Sequence, residues 1–301
     1  MNPSAGNARF SSLLDNAVLA RLERMRINPM RRKTNRTRGE HQSGKGGTST
    51  EFADYRDYVA GDDVKNVDWN IFARLERPFV KLYRHEEDLH VVALVDASAS
   101  MQFEGKFERA KQLAAAFGIM GLMNVERVSM YSCNTPGKEP LFMPPCTGRV
   151  SRKRMFEFLE TLPAGGDYPI ESAIDSMLTR HRGRGVVLLV SDFLTFGDLQ
   201  KPFNMLFSAG LEVFAVQILG PTEINPDVTG DVRFVDSESG YALDVSNAGD
   251  LLGIYQDHRL ALEEELETIC RQRSGRFVSI SSADTIESVL FDLFRRKGWV
   301  R

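Results

Sequence analysis

His90–Met101 reads HVVALVDASASM. Val91 to Val95 run apolar without alternation, the pattern of a strand buried on both faces. The run stops at Asp96, and Ser98 and Ser100 follow at every second position. Two further stretches are of the same kind: Gly185–Val190 (GVVLLV), which ends at Ser191-Asp192, and Leu211–Leu219 (LEVFAVQIL). Strands are also expected at Arg127–Cys133 and Arg276–Ile280. Helices are predicted over Lys106–Asn124, Ser151–Leu162, Ile170–Arg182, Gly197–Ala209, Gly249–Arg273 and Ala283–Arg296. Phe234–Val245 is expected to form a hairpin turning at Glu238-Ser239-Gly240. Strands that alternate with helices imply an α/β fold, Rossmann-like, with a mostly parallel central sheet and helices on both faces.

Upstream of this core, Ser11–Ile27 (SSLLDNAVLARLERMRI) places Leu14, Val18, Leu22 and Met25 at helical spacing. An amphipathic helix with a serine cap is expected, ended by Pro29. Between Arg21 and Arg38 lie eight Lys or Arg and one acid, Glu23. Arg31–Thr50 is polar, basic and glycine-rich, so it reads as an extended loop. Phe79–Tyr83 (FVKLY) alternates, as a half-exposed strand does. Three segments result: an N-terminal helix at 1–30, a basic loop with a wrapping segment at 31–88, and the α/β domain at 89–301.

A hydrophobic content of 42% and a charged content of 26% are those of a chain with a real core. The three cysteines are scattered and form no CxxC pair, which argues against a disulfide framework and for free thiols in a reducing compartment. No apolar run approaches the roughly 18 residues of a membrane span, and the start lacks a signal-peptide layout, so a cytoplasmic location is expected. The basic segment Arg31-Arg32-Lys33 with Arg36 and Arg38 could meet phosphates, but no nucleic-acid-reading motif accompanies it. Nucleic acid is therefore not an expected partner. Gly44-Lys45-Gly46-Gly47 lacks the rest of a phosphate loop. The five histidines show no HExxH spacing, and no G-x-S-x-G elbow is present.

In sheets of this kind ligands bind beyond the carboxyl ends of the strands. Asp96, Ser98 and Ser100 follow the first buried strand, and Asp192 follows the second. Asp167, in Gly165-Gly166-Asp167-Tyr168-Pro169, opens a helix between them. Carboxylates and hydroxyls make an all-oxygen set, which suits a hard divalent cation: Mg²⁺ first, with Mn²⁺ and Ca²⁺ as alternatives. These five residues are the candidate metal ligands.

DASASM and the later LLVSDF resemble the metal-ion-dependent adhesion site of von Willebrand factor A domains. Gly47–Arg74 (GTSTEFADYRDYVAGDDVKNVDWNIFAR) resembles the signature of the bacterial family labelled "domain of unknown function 58", in which such a block precedes an A-type domain. The resemblance spans roughly Thr34 to Arg296. It implies a von Willebrand factor A-like domain at 89–301 and a metal-dependent protein–protein interaction. It further implies work beside a MoxR-type AAA+ ATPase in assembling or remodelling other complexes. One departure is visible: where the adhesion-site pattern has threonine, this chain has Asp167.

Within the signature block, Glu51, Arg56, Asp62, Asp63 and Asp68 are expected to form internal ion pairs, with Phe52, Tyr55, Tyr58 and Trp69 as a small core. No catalytic motif is identified, so a non-enzymatic binding module is the leading expectation. Two alternatives stand beside it. One is a Mg²⁺- or Mn²⁺-dependent phosphoesterase-like hydrolase, with Asp167 as base and Arg74 or Lys106 as phosphate clamp. The other is a scaffold whose metal site is empty.

Overall fold

Helix α1 covers Asn16–Leu22 in the computed structural model, which describes residues 10–30, 50–85, 89–133, 140–166, 170–194, 198–237, 240–246 and 248–301. The helix is shorter than the predicted Ser11–Ile27, and Asp15 precedes it in place of a serine cap. Two tertiary demands explain the trimming. At the front, the Ser11 hydroxyl donates to Glu160 at 2.6 Å. At the back, Arg26 and Arg301 exchange backbone hydrogen bonds (2.9 and 3.0 Å), and Asn28 N–H donates to the Trp299 carbonyl. Strand-like pairing to the chain's end outcompetes the helical period. The basic segment 31–38 and the Gly44–Gly47 loop lie outside the described residues.

The chain forms two units, Met1–Met30 with Leu89–Arg301, and Arg31–Asp88. In the smaller unit, β1 (Thr50–Asp57), α2 (Trp69–Leu75) and β2 (Phe79–His85) follow one another, and β1 pairs antiparallel with β2. Arg56 makes a two-pronged bond to Asp62 (2.6 and 2.8 Å), whose carboxylate also accepts the Val59 N–H. Asp63 accepts the Lys65 N–H. Asp68 caps α2 through the N–H groups of Asn70 and Ile71 and takes further bonds from the Tyr55 hydroxyl and Lys81. The side chains of Glu51 and Phe52 lie outside the description. Trp69 is corrected: it is 59% exposed, stacked edge-on against Phe72, and is not part of a small core.

The larger unit runs β3 (His90–Asp96), α3 (Lys106–Met123), β4 (Arg127–Cys133), β5 (Phe142–Cys146), α4 (Arg152–Glu160), α5 (Ile170–Arg180), β6 (Gly185–Ser191), α6 (Gln200–Ser208), β7 (Leu211–Leu219), α7 (Pro221–Ile224), β8 (Val232–Val235), β9 (Ala242–Val245), α8 (Leu252–Gln272), β10 (Arg276–Ser281) and α9 (Phe294–Arg296). Six strands form one sheet in the order β10-β7-β6-β3-β4-β5. All neighbours are parallel except β4 and β5. Strand β5 escaped the sequence reading because Pro144 and Pro145 interrupt it, and prolines are tolerated only at such an edge. Strands β8 and β9 form the expected hairpin, while Glu238 and Ser239 of its turn lie outside the described residues.

Alternate residues of the buried strands feed opposite cores. Val91, Ala93 and Val95 face one core, shared with α1, α3 and α4. Val92 and Leu94 face the other, shared with α5, α6 and α8. The result is a Rossmann-like sheet of the von Willebrand factor A type with helices on both sides. Helix α3 lies close over the sheet because Gly121 has no side chain; a Cβ there would meet Val128 at 2.7 Å. The helix predicted over Ala283–Arg296 is widened into π-type turns at Ser288–Leu293 before α9.

Candidate functional site

Strand β3 is the chain's first strand in the large sheet, yet it sits inside it, with β4 on one flank and β6 on the other. Connections therefore diverge from β3 in two directions, which opens a crevice beyond its carboxyl end. Asp96 ends β3, and Ser191-Asp192 ends β6.

The loop after β3 is fixed by its own polar groups. Asp96 Oδ1 accepts the Ser98 N–H at 2.9 Å, an Asx turn that sets the next residues. Asp96 Oδ2 accepts the Ser191 hydroxyl at 2.5 Å, tying β3 to β6. The Ser98 and Ser100 hydroxyl oxygens stand 3.0 Å apart. The second loop lies alongside: Gly165 N–H donates to the Ala97 carbonyl at 2.7 Å, and Ser98 bridges to Gly166. Gly165 has φ +95°, and a Cβ there would press on Gln102. Asp167, immediately beyond, lies outside the described residues.

Asp192 is held from three sides. Its Oδ1 accepts the Leu194 N–H at 3.1 Å and its carbonyl accepts the Gln217 amide at 3.0 Å. Its Oδ2 carries the Lys106 ammonium at 2.9 Å. The neighbouring Phe193 is forced to φ +55°, an uncommon conformation for a bulky residue, and is kept there by its N–H bond to the Ser191 hydroxyl.

Lys106 opens α3 and is 0% exposed. Its ammonium donates to Glu223 Oε1 at 2.6 Å as well as to Asp192. Burial alone would push this ammonium toward deprotonation. The Asp192 and Glu223 carboxylates outweigh it, so the Lys106 pKa lies above its ordinary value. Glu223 is fixed in turn by the Gly220 N–H at 2.7 Å, and Glu104 accepts the Thr222 N–H at 3.0 Å. Loops after β3, β6 and β7 thus form one bonded cluster, with a buried lysine at its centre.

A family model described as "Protein of unknown function DUF58" matches residues 54–256. This chain belongs to the DUF58 family. The uncharacterized proteins Mb1516 of Mycobacterium bovis and Rv1480 of Mycobacterium tuberculosis are each 32% identical to it over 216 residues, 69% of this chain and 67% of theirs. Among solved structures, BatB from Bacteroides thetaiotaomicron aligns at 14% identity over 70% of this chain and 97% of its own, with a TM-score of 0.43. An aerotolerance-related membrane protein from Bacteroides fragilis gives 15%, 69%, 99% and 0.42. Those two scores are too low to bear on function.

In this DUF58 protein the DxSxS half of the expected metal set, Asp96, Ser98 and Ser100, gathers on one loop. Asp192 as it stands does not suit a divalent ion, because both its oxygens already carry donors and one donor is a buried cation. A divalent ion on the same carboxylate would face that ammonium at a few ångströms. Two such charges about 4 Å apart repel by roughly 8 kcal/mol at an effective dielectric near 20. Among the described residues no group of three or more His, Cys, Asp or Glu is placed to hold a metal ion.

One expectation for the hydrolase reading is corrected: Lys106 is no phosphate clamp, since its ammonium is buried against two carboxylates. Arg74 lies on α2 of the smaller unit and is exposed. Sequence reading missed Glu223 and the Ser191–Asp96 bond. Glu223 had a signal: it lies four residues past the third buried strand, the position class already searched after the first two. No helix in the described part is long and apolar enough to cross a membrane.

Proposed function

We propose that this DUF58 chain is a protein–protein interaction module that docks its partner on the loops beyond β3 and β6. The observation that carries this is the contrast between a rigid base and an apolar rim. Buried hydrogen bonds fix Asp96, Ser98 and Asp192, while on the same loops Phe103 is 51% and Leu194 39% exposed. Preformed loops lose little entropy on binding, and exposed aromatic or aliphatic anchors supply contact area.

The family resemblance supports a MoxR-type AAA+ ATPase as the partner and a role in assembling or remodelling other complexes, and a cytoplasmic setting is proposed with it. The test is direct binding between the purified chain and the MoxR-type ATPase of the same genome. Phe103→Asp and Leu194→Asp should each weaken binding at least tenfold, about 1.4 kcal/mol, without shifting the thermal midpoint. Unchanged binding in both would sink the proposal.

A second reading makes docking depend on Mg²⁺ held by Asp96, Ser98, Ser100, Asp167 and Asp192, with the Lys106 ammonium displaced from Asp192. The 3.0 Å approach of the Ser98 and Ser100 hydroxyls favours it. Under that reading EDTA abolishes partner capture.

A further inference from the structure

The fold family leads one to expect a divalent cation at this edge, and the residues of this chain disagree with that expectation at one atom. We infer that the Lys106 ammonium is the resident cation of the β3–β6 crevice, standing in for a divalent ion on Asp192 and holding the edge assembled without metal. The inference deepens the docking proposal and rests on the same crevice.

Three observations carry it. First, a lysine at the opening turn of a helix after a glycine ordinarily reaches solvent, yet Lys106 is 0% exposed and points inward. Burying a charge is tolerated only when it is paired and bonded, and here the pairing is with the acid at the end of β6 (2.9 Å) and the acid after β7 (2.6 Å). Second, the backbone is bent to deliver it. Glu104 (φ +46°) and Gly105 (φ +73°) are both left-handed immediately before Lys106. Third, the ammonium links elements that a bridging ion would link. It joins β6 and the β7 loop from α3, while Glu104 ties the same approach to Thr222. A divalent ion competing for Asp192 would have to displace or repel a buried charge bonded to two carboxylates.

The edge should consequently be chelator-resistant, and removing the ammonium should convert it into an ion site, because Asp192 and Glu223 would be left without their internal counter-charge. The variants are Lys106→Met and, because the first may not fold alone, Lys106→Met with Glu223→Gln, which removes one acid along with the base. Thermal midpoints are read in EDTA and in millimolar Mn²⁺, with calorimetric titration of Mn²⁺ alongside.

Wild type should show a midpoint within a degree or so in the two buffers and no binding tighter than millimolar. At least one variant should be less stable than wild type in EDTA, rise by several degrees in Mn²⁺, and bind Mn²⁺ at least tenfold tighter than wild type. The inference is overturned if wild type binds Mn²⁺ in the micromolar range, if no folded variant gains a Mn²⁺ response, or if neither variant folds even with Mn²⁺ present. No partner enters these measurements. Failure of the docking proposal would therefore show only in the Phe103 and Leu194 variants, and failure of this inference only here.

Discussion

Arg56–Asp62 and Lys106–Asp192 are both short pairs between a base and an acid, at 2.6 and 2.9 Å, and they do different things. The Arg56 pair sits at the surface of the smaller unit, its side chains 30% and 14% exposed. Arg56 holds the Asp62 carboxyl below its usual range, helped by the Val59 N–H, and together they close one turn. Water can replace either partner there. The Lys106 pair is 0% and 4% exposed and shares its cation with Glu223. Nothing can replace a partner in that setting without a rearrangement. Geometry alone does not separate a brace from a keystone; burial does.

That contrast predicts a steep order of effects. Lys106→Met should be the most damaging, costing about 3–5 kcal/mol in urea unfolding without metal, because the buried Asp192 carboxylate and the partly exposed Glu223 lose their counter-ion. A loss no greater than that of a surface substitution would erase the contrast.

Next comes acid sensitivity from the opposite end of β3. His90 and His181 stack at 4.8 Å between ring centres. Burial, then the neighbouring His181 and Arg127, hold His90 down to about 3. Unfolded histidine takes up its proton near pH 6.5 while folded His90 does not. Stability from this group is thus complete above about pH 6.5 and declines as pH falls toward about 3, by up to about 1.4 kcal/mol per pH unit. Urea midpoints at pH 7.5 and 5.5, compared between wild type and His90→Gln, should show a flatter slope in the variant. Equal slopes would assign the acid sensitivity to other groups.

Asp68→Ala should follow, since it removes the α2 cap and the contacts of Tyr55 and Lys81. The expected readout is faster proteolysis within the smaller unit, with the larger unit's protection unchanged. Arg56→Gln should be smallest, a midpoint within the error of the measurement. A large effect there would mean that the exposed pair is a keystone as well.

Much of the fold was legible because the buried strands write themselves as apolar runs. Val91–Val95, Gly185–Val190 and Leu211–Leu219 all became central strands. Elements governed by distant partners were not legible: α1 stops at Leu22 because Arg26 and Asn28 pair with the last residues of the chain. The candidate site was half legible. Asp96, Ser98 and Ser100 announce themselves by spacing, but nothing local marks Lys106 as buried. Its burial follows from two left-handed residues before it and from acids 86 and 117 positions away. Trp69 failed for the opposite reason, since an aromatic residue is only on average a core residue.

The most direct test is anomalous diffraction from crystals of the wild-type protein grown with millimolar Mn²⁺. The account predicts Lys106 Nζ on Asp192 and no manganese peak in the β3–β6 crevice. A strong peak bound by Asp96 and Asp192, with the lysine swung away, would contradict it.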